Sequence, residues 1–317
     1  MEKIGELKAI KKLAKKVKEP SAAQKKLLDV AALVRLDPDD TEAAFMARQL
    51  VQCTLPHSNP GGVPIWSRNN GRLTLTIQPG YDHDHKCLAG YPYGSIPRLL
   101  LFWIITEAVR TKSRYIELGR SLNDFMRDVG LDPLTGGGKR GDAKRLREQM
   151  GNLFRCKISF DYSMEGEDGT KGHRWLDMQV APAGEFWWDF KEPEQSAFWH
   201  SWLELGEHFF KAISLAPVPV DKRALRGLKR SPLALDLYTW ATYRAWCAKE
   251  KGRSLFVSWD QLAAQLGGDY GTTKNFKVKV RAALRKVKVV YSGFIYDTNA
   301  NGLTVYPCGP VIAPKQD

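Results

Sequence analysis

A run of positive side chains near the carboxyl end is the part of the sequence best suited to binding chemistry. Residues 274–288 contain seven Lys and Arg residues and no Asp or Glu. On a helix, which turns about 100° per residue, five of them form one row and the apolar residues form a separate stripe. The row consists of Lys274, Lys277, Arg281, Arg285 and Lys288, and the stripe of Phe276, Val280, Ala283, Leu284 and Val287. Because unpaired like charges on a helix repel one another, this pattern predicts a polyanionic partner, DNA or RNA.

The side-chain types suggest different roles within this helix. Arg and Asn can read guanine and adenine edges in a major groove about 12 Å wide, whereas lysines hold phosphates. We predict that the base-reading residues are Asn275, Lys277, Arg281 and Arg285. Lys274 and Lys288 are predicted to contact the DNA backbone, which carries no sequence information of its own.

Two other groups of cations follow the same logic. Residues 140–155 repeat the pattern of an apolar stripe beside a basic row, diluted by Asp142 and Glu148. This second row contains Arg140, Lys144 and Arg147. Between the two helices, five cations occur in nine residues without an acid, namely Lys222, Arg223, Arg226, Lys229 and Arg230. We predict that they clamp phosphates.

One motif suggests a metal site. Asp82, His83, Asp84, His85 and Cys87 are metal-ligating residue types close together in the sequence. A His-x-His pair followed by Tyr91 or Tyr93 is also a weak match to a nicking endonuclease with a nucleophilic tyrosine. Because that class requires an apolar residue where Asp84 stands, we interpret the segment as a polar loop.

Two further motifs have simpler interpretations. Residues 136–139 resemble a phosphate-binding loop, but Arg140 replaces the required Ser or Thr, so a flexible turn before a helix is sufficient. Trp187, Trp188, Trp199 and Trp202 could stack on single-stranded bases, although aromatic residues in strands usually belong to a core. We expect no catalytic residue, no metal ion and no cofactor.

The elements that position the cations occur twice. The first copy predicts helix 98–111, strand 115–118, helix 121–129, basic helix 141–155 and strands 157–164 and 175–180. The second predicts helix 233–249, strand 255–257, helix 258–266 with a capping box of Ser258 and Gln261, basic helix 272–287 and strands 289–296 and 303–306. The copies are offset by about 135 residues, which indicates an internal duplication. Helix, strand, helix, turn, helix and hairpin is the order of a winged helix-turn-helix.

The residues before the first copy predict a helical extension and a hairpin. Residues 1–19 carry seven lysines with apolar residues at helical spacing, and Pro20 ends this arm. Helices are predicted at residues 22–36 and 41–53, a loop at 56–64, and a strand at 73–77 after the turn at Asn70 and Gly71. The expected fold is α+β, with a basic helical extension (residues 1–58) and two tandem winged-helix domains (59–215 and 216–317).

Composition supports a nucleic-acid partner and a reducing compartment. The chain has 317 residues, a net charge of +13 and 43% apolar residues, which together describe a basic globular protein. Its five cysteines are scattered and odd in number, so no disulfide framework is expected. The longest apolar run, residues 99–105, is far shorter than the ~20 residues needed to span a membrane. We therefore expect a cytoplasmic protein without membrane contact.

Several segments resemble the plasmid-encoded RepA replication-initiator family. They are WSRNNGRLTLTI at residues 66–77, YGSIPR at 93–98, LGRSLNDFMR at 118–127, GG at 136–137 through RLREQM at 145–150, and SPLALDLY at 231–238 followed by YR at 243–244. Together they extend over roughly residues 60–300 and leave the N-terminal arm unmatched.

The resemblance implies a function that composition and spacing do not provide. Members of this family bind repeated double-stranded sites, or iterons, at a plasmid origin, promote its opening and recruit the host initiator and helicase. They often form homodimers that repress their own gene, which contributes to copy-number control. The resemblance therefore implies a non-enzymatic initiator. The alternatives are a plasmid transcriptional repressor of the same fold and a rolling-circle nicking endonuclease.

Overall fold

The computed structural model describes residues 19–37, 42–83, 86–133, 141–166, 168–187, 201–267 and 270–312. Within these ranges the fold is mixed α/β, with ten helices and fourteen strands in five small sheets. The helices are α1 (Ala22–Leu36), α2 (Arg48–Gln52), α3 (Ser95–Thr111), α4 (Leu122–Val129), α5 (Asp142–Arg155), α6 (Glu207–Leu215), α7 (Lys222–Leu228), α8 (Pro232–Glu250), α9 (Trp259–Leu266) and α10 (Thr273–Val290).

Most strands are short, and neighbouring strands in each sheet run antiparallel. They are β1 (Ala43–Ala47), β2 (Trp66–Asn70), β3 (Leu73–Gln78), β4 (Tyr81–Asp82), β5 (Cys87–Leu88), β6 (Tyr115–Glu117), β7 (Lys157–Glu165), β8 (Lys171–Gln179), β9 (Ala183–Glu185), β10 (Trp202–Glu204), β11 (Pro217–Asp221), β12 (Leu255–Ser258), β13 (Tyr296–Thr298) and β14 (Gly302–Val305). No helix among the described residues is both long and apolar enough to cross a membrane.

Of the two N-terminal helices predicted over described residues, only the one at residues 22–36 is present. A capping box between Ser21 and Gln24 begins α1 at the predicted place, and α1 packs on α7 and α10. The predicted helix over residues 41–53 is wrong, because residues 43–47 form β1 and only α2 follows. β1 pairs antiparallel with β11, with Ala43 opposite Asp221. This pairing outweighs the local helical pattern. The lysine-rich arm lies outside the described residues, apart from Glu19.

The first repeat has the predicted order α3, β6, α4, α5, β7 and β8. The predicted hairpin is also present, with β2 and β3 joined by Gly71 and Arg72, and the φ of Gly71 is +61°. A left-handed backbone of this kind favours glycine and suits a two-residue hairpin. β3 continues the sheet onto β7, so the order is β2-β3-β7-β8.

The second repeat has the same order, α8, β12, α9, α10, β13 and β14. Its three strands form one sheet in the order β12-β14-β13. The predicted strand over residues 289–296 is wrong, since α10 continues to Val290 and β13 begins only at Tyr296. Val287 and Val290 are both buried, so the apolar stripe of the helix continues one turn further than we expected.

The two repeats differ in strand pairing. β12 pairs with β14 of its own hairpin, whereas β6 pairs with β10, a strand that lies beyond the β7-β8 hairpin. The connection between the repeats supplies β10, α6, β11 and α7, none of which the sequence analysis predicted. The two repeats therefore share the order of their elements, but the first strand of each pairs with a strand from a different position in that order.

The two repeats share one apolar interior, and a buried ion pair joins them. Arg98 of α3 and Asp236 of α8 are 2% and 8% exposed, and the guanidinium contacts both carboxylate oxygens at 2.7 and 2.8 Å. The other Arg98 N–H groups donate to the backbone carbonyls of Leu55, Pro56 and Gly94. All five guanidinium donors are thus satisfied, as a buried charge requires.

His57 completes this junction. Its Nε2 lies 2.8 Å from Asp236 Oδ2. Burial lowers the pKa of His57 below 6.5, although the Asp236 hydrogen bond acts in the opposite direction. Burial alone would raise the pKa of Asp236, but the Arg98 charge and the hydrogen bonds from His57 and Arg98 outweigh it and hold that pKa below 3.8. At neutral pH the junction therefore contains a charged Arg98, a charged Asp236 and a neutral His57.

The ion pair predicts a large effect of a single substitution. Arg98→Met leaves Asp236 as an uncompensated buried charge, so we expect a loss of about 3–5 kcal/mol in unfolding free energy. Arg72→Met, which removes an exposed ion pair with Glu165, is the matched control and should cost less than about 1 kcal/mol. Urea denaturation at pH 7.5 measures both. Equal stability of the two variants would contradict the assigned role of Arg98.

The lowered pKa of His57 predicts a pH dependence. Below pH 6.5 the unfolded chain binds a proton at His57 that the folded chain excludes, so stability falls as the pH decreases through this range. A single site contributes at most about 1.4 kcal/mol per pH unit. Asp236 stays ionised in both states until the pH is far lower. Denaturation at pH 7.5 and 5.5 should show a smaller difference for His57→Gln than for the natural chain, and an unchanged difference would refute the assignment.

Candidate nucleic-acid interface

The helix α10 begins and packs as its sequence pattern predicts. The Thr272 side chain accepts a hydrogen bond from the backbone N–H of Asn275 and so caps the first turn. The predicted apolar stripe is buried, and α10 packs against α8. The five-cation row, Lys274, Lys277, Arg281, Arg285 and Lys288, therefore lies on the part of the helix surface that the core does not use. None of these five forms an ion pair within the described part of the chain.

Two cations in the middle of the row are held against a tryptophan. The Lys277 ammonium and the Arg281 guanidinium lie 5.8 and 5.2 Å from the ring centroid of Trp259, within cation–π range. Lys277 also donates to Ala300 O, and Arg281 to Asn299 O, both at 3.2 Å. The β13-β14 turn thus fixes the direction of both side chains before any ligand binds.

Trp259 connects three elements at this point. It is the first residue of α9 and only 2% exposed. Its indole N–H donates to Asn299 O, and its backbone N–H to Asn301 O, both at 3.1 Å. Gly302 follows directly, where a Cβ would lie 2.2 Å from Val257 O. The turn therefore lies tightly against the start of α9, and we name residues 299–301 the wing turn.

The remaining cations of the row fall into two classes. Lys274 and Arg285 are exposed and have no hydrogen-bond or ion-pair partner among the described residues. Lys288 is exposed but donates to Ser292 O and Phe294 O, both at 2.7 Å. The first two remain available to a ligand, whereas Lys288 holds the loop that follows α10. This contact gives Lys288 a structural role that the sequence did not indicate.

Asn275 lies at the amino end of the row. Its side chain is exposed, and Nδ2 donates to Tyr270 O at 3.4 Å, a long hydrogen bond. The four predicted base-reading residues lie on one helix, with Asn275 and Arg285 exposed and Lys277 and Arg281 half-buried. Its four members differ in how firmly the protein already holds them.

The corresponding helix of the first repeat, α5, offers fewer cations. Lys144 is exposed with no partner in the described ranges, and Arg147 is also exposed. Arg145 pairs with Asp142 at 3.6 Å, a contact between residues three apart on the helix. Arg140 lies outside the described residues. The dilution expected from Asp142 is thus present in the structure.

The five cations of residues 222–230 are mostly engaged, which corrects the expectation of an unpaired cluster. Asp221, the residue before α7, binds Arg223 through both carboxylate oxygens at 2.8–3.2 Å. Glu42 lies 3.1 Å from Lys222 and 3.9 Å from Arg226. Lys229 donates to Gly130 O at the end of α4. Glu42 and Gly130 are distant from this segment in the sequence, and Asp221 directly precedes it. Among the described residues, Arg230 is the one cation of the five that is exposed without a partner.

The nicking-enzyme alternative finds little support in the position of Tyr91, one of its two candidate tyrosines. Tyr91 is 2% exposed, and its hydroxyl donates to Val63 O at 2.9 Å. Burial raises the pKa of Tyr91, which makes a phenolate nucleophile harder to form. Asp84 and His85, as well as residues 136–139, lie outside the described residues. Among the described residues, no group of three His, Cys, Asp or Glu side chains is placed to hold a metal ion.

Two of the four tryptophans singled out in the sequence lie among the described residues. Trp188 and Trp199 lie outside the described residues. The indole N–H groups of Trp187 and Trp202 both donate to the Glu185 carboxylate, and Trp202 stacks on Tyr115 at 5.2 Å. A carboxylate between two indoles repels a phosphate backbone, so this arrangement does not favour stacking on single-stranded DNA.

Sequence analysis missed two groups that shape the candidate interface. The capping box of Ser258 and Gln261 is present as predicted, but it gave no indication that the intervening Trp259 supports Lys277 and Arg281. Asn299 was missed as well. Its side-chain oxygen accepts from the backbone N–H groups of Asn301 and Gly302, which shapes the wing turn. The sequence signal was an Asn three residues before a Gly, in the turn between two predicted strands.

Comparisons with known proteins match the chain to a family model and, among solved structures, to domains of RctB. A family model described as plasmid encoded RepA protein matches residues 91–261, more than half of the chain. The crystal structure of selenomethionine derivatives of domain 2 and domain 3 of RctB matches with a TM-score of 0.46 at 12% identity, covering 80% of this chain and 94% of that chain. No curated protein matches the chain.

The two hydrogen bonds of Lys288 predict a role in stability. Lys288→Met removes the donor to two carbonyls, and because the side chain is exposed we expect a loss of only about 1 kcal/mol in unfolding free energy. Lys286→Met removes an equal charge from the same helix turn without losing a hydrogen bond, so its change should stay within about 0.5 kcal/mol. Urea denaturation of both variants tests this. Equal denaturation midpoints of the two variants would mean that Lys288 has no structural role and remains available to a ligand.

Proposed function

The chain belongs to the plasmid-encoded RepA protein family, and from this premise we propose that it is a non-enzymatic initiator of plasmid replication that binds double-stranded origin DNA. One observation supports α10 as the main DNA-binding element. Its cations face outward without an acid in the described part of the chain, and two of them are directed along the wing turn. A metabolic enzyme has no need of such a row.

The dimensions of the helix suit this role. With 18 residues, α10 is about 27 Å long at 1.5 Å per residue, and a helix fits a major groove about 12 Å wide. We propose that Asn275, Lys277, Arg281 and Arg285 read base edges while Lys274 holds a phosphate. The carbonyls that now bind Lys277 and Arg281 compete with DNA only weakly, because contacts with phosphate or guanine are charge-assisted or bidentate.

The repeated element order supports a second contact. We propose that residues 59–215 and 216–317 each form a winged-helix domain, and that α5 occupies a second major-groove segment through Lys144, Arg147 and Arg140. Successive segments on one face of DNA are about 10 bp apart, so the two helices require a site of roughly 20 bp. Direct repeats of such a site at an origin would be the iterons.

The cations of residues 222–230 have a secondary place in this proposal. Arg230 is accessible for a phosphate. Lys222, Arg223, Arg226 and Lys229 would each have to leave an acid or a carbonyl in order to contact DNA. We propose that their main role is to hold α7 against Glu42, Asp221 and Gly130, and that DNA contact by them is secondary.

The later steps of initiation follow from binding several copies. Bending or wrapping an origin costs on the order of 1–6 kcal/mol per site, which several bound copies can share. We propose that this deformation opens an adjacent A·T-rich tract in the bacterial cytoplasm, and that the host initiator and helicase join afterwards. A homodimer that represses its own gene would use the same interface, with control of copy number as the consequence.

Substitution of Arg281 is the direct test of the reading surface. We expect Arg281→Ala to lose about 1–3 kcal/mol in binding to the origin repeat and to discriminate less between this repeat and a sequence changed at the contacted base. Arg110→Ala removes an exposed arginine that pairs with Glu107 on α3, and it should bind as the natural chain does. Footprinting and titration on DNA flanking the gene measure both effects. An unchanged footprint for Arg281→Ala would refute the assigned surface.

Salt dependence separates backbone contacts from base contacts. We expect Arg281→Ala to change specificity, whereas Lys274→Ala should weaken binding to every sequence and reduce the slope of log K against log salt by about 0.9.

Replication of an origin plasmid that has no other replicon then separates an initiator from a repressor. Arg281→Ala should abolish plasmid maintenance and Arg110→Ala should preserve it. A natural chain that binds the repeats but does not maintain this plasmid would refute the initiator and favour the repressor.

A further inference from the structure

A chain of buried polar groups runs from the first repeat to the first turn of α10. Arg98 of α3 binds Asp236 of α8, and Asp236 accepts from His57 Nε2. On the other side of the imidazole ring, the Tyr270 hydroxyl lies 3.2 Å from His57 Nδ1. Tyr270 O in turn accepts from the Thr272 backbone N–H at 2.8 Å. The first three links join residues far apart in the sequence, and the last link, between Tyr270 and Thr272, is local.

The direction of these hydrogen bonds follows from the state of His57. An ionised Asp236 can only accept, so His57 Nε2 carries the proton and Nδ1 is an acceptor. The Tyr270 O–H therefore donates to Nδ1, and burial raises the pKa of Tyr270, which keeps this proton in place. The chain has one consistent set of donors and acceptors, and such a network favours a single geometry.

A second set of contacts holds the end of α9. Arg68 of β2 is 7% exposed and donates to Thr54 Oγ1 at 2.6 Å and to Gln265 O at 3.4 Å. Gln265, near the end of α9, also accepts from the Trp240 indole N–H at 3.0 Å. Gln265 and Tyr270 flank the turn between α9 and α10. Residues far away in the N-terminal half therefore contact both sides of this turn.

On the basis of the proposed function, we infer that His57, Arg68 and Tyr270 are positioning residues that set the distance and rotation between α10 and α5, and hence the spacing between the two DNA segments. They contact the turn before α10, and they are tied to the first repeat because Arg98 binds the carbonyls of Leu55 and Pro56 beside His57 and because Arg68 lies in the β2-β3-β7-β8 sheet. If the two helices form one rigid body, inserting one base pair between the segments moves one of them by about 3.4 Å and rotates it by about 34°. A rigid pair of helices cannot follow this change without losing contacts.

Tyr270→Phe is the sharpest variant, because it deletes one hydroxyl and keeps the ring that packs against Phe276. The probes are duplexes carrying the footprinted site with zero, one, two or ten base pairs inserted between its two segments. We expect the natural chain to prefer the native spacing over one inserted base pair by at least about tenfold, since one lost bidentate contact is worth about 1–3 kcal/mol. Tyr270→Phe should reduce that preference several-fold and leave binding to a single segment unchanged.

Two further variants exclude a general loss of structure. His57→Gln keeps a donor for Asp236 but cannot reach Tyr270, and it should relax the spacing preference in the same way. Tyr115→Phe deletes a hydroxyl in the first repeat and keeps the ring that stacks on Trp202, so its preference should match that of the natural chain. Thermal unfolding of each variant verifies that it is folded under the binding conditions.

The outcomes separate this inference from the proposed function. Equal weakening of Tyr270→Phe at every spacing would overturn the positioning role and leave the binding surface intact. A natural chain that binds the repeat but accepts all spacings equally would do the same. A natural chain that binds no duplex specifically would overturn the proposed function and this inference with it.

Discussion

The arrangement of the two halves depends on a buried charge that is completely satisfied. Arg98 uses its five N–H groups on Asp236 and on three backbone carbonyls, so neither charge is left without a partner in the interior. Such a pair stabilises little compared with apolar residues, but it tolerates very few geometries. It joins the helices that open the two repeats, α3 and α8. His57 extends the same hydrogen-bonded chain to Tyr270, two residues before the residue that caps α10.

The same electrostatic rule separates the cations that hold the fold from those that remain available. Lys222, Arg223 and Arg226 have carboxylate partners, and Lys229 and Lys288 bind carbonyls, so these side chains already have the contacts that a phosphate would offer. Lys274 and Arg285 lack such partners in the described part of the chain. A positive net charge therefore does not show by itself where a polyanion binds. What matters is which cations the protein leaves unpaired and how their side chains are directed, and Trp259 provides that direction for Lys277 and Arg281.

Strand pairing gives the two repeats different surroundings. The second repeat completes its sheet with its own hairpin, and the wing turn lies beside α10. In the first repeat β6 takes β10 as its partner, and the β7-β8 hairpin instead extends the sheet formed with β2 and β3. The cations of α5 are also fewer. The repeat with the denser basic row is thus the one whose hairpin turn contacts that row. This difference agrees with the proposal that α10 makes the stronger DNA contact and α5 the weaker one.

The sequence by itself determined those elements whose signals lie within a few neighbouring residues. The stripe that begins at Phe276, the capping box of Ser258 and the repeated order of helices were readable because side chains three or four residues apart share a helix face. The helix expected over residues 41–53 failed because Ala43–Ala47 pairs with β11, which lies over 170 residues away in the chain. The partners of Arg98 and Lys229 were also unreadable. Only the tertiary structure decides which distant carboxylate or carbonyl lies within 3 Å of a cation, because that distance depends on how separate elements pack and not on the residues next to it.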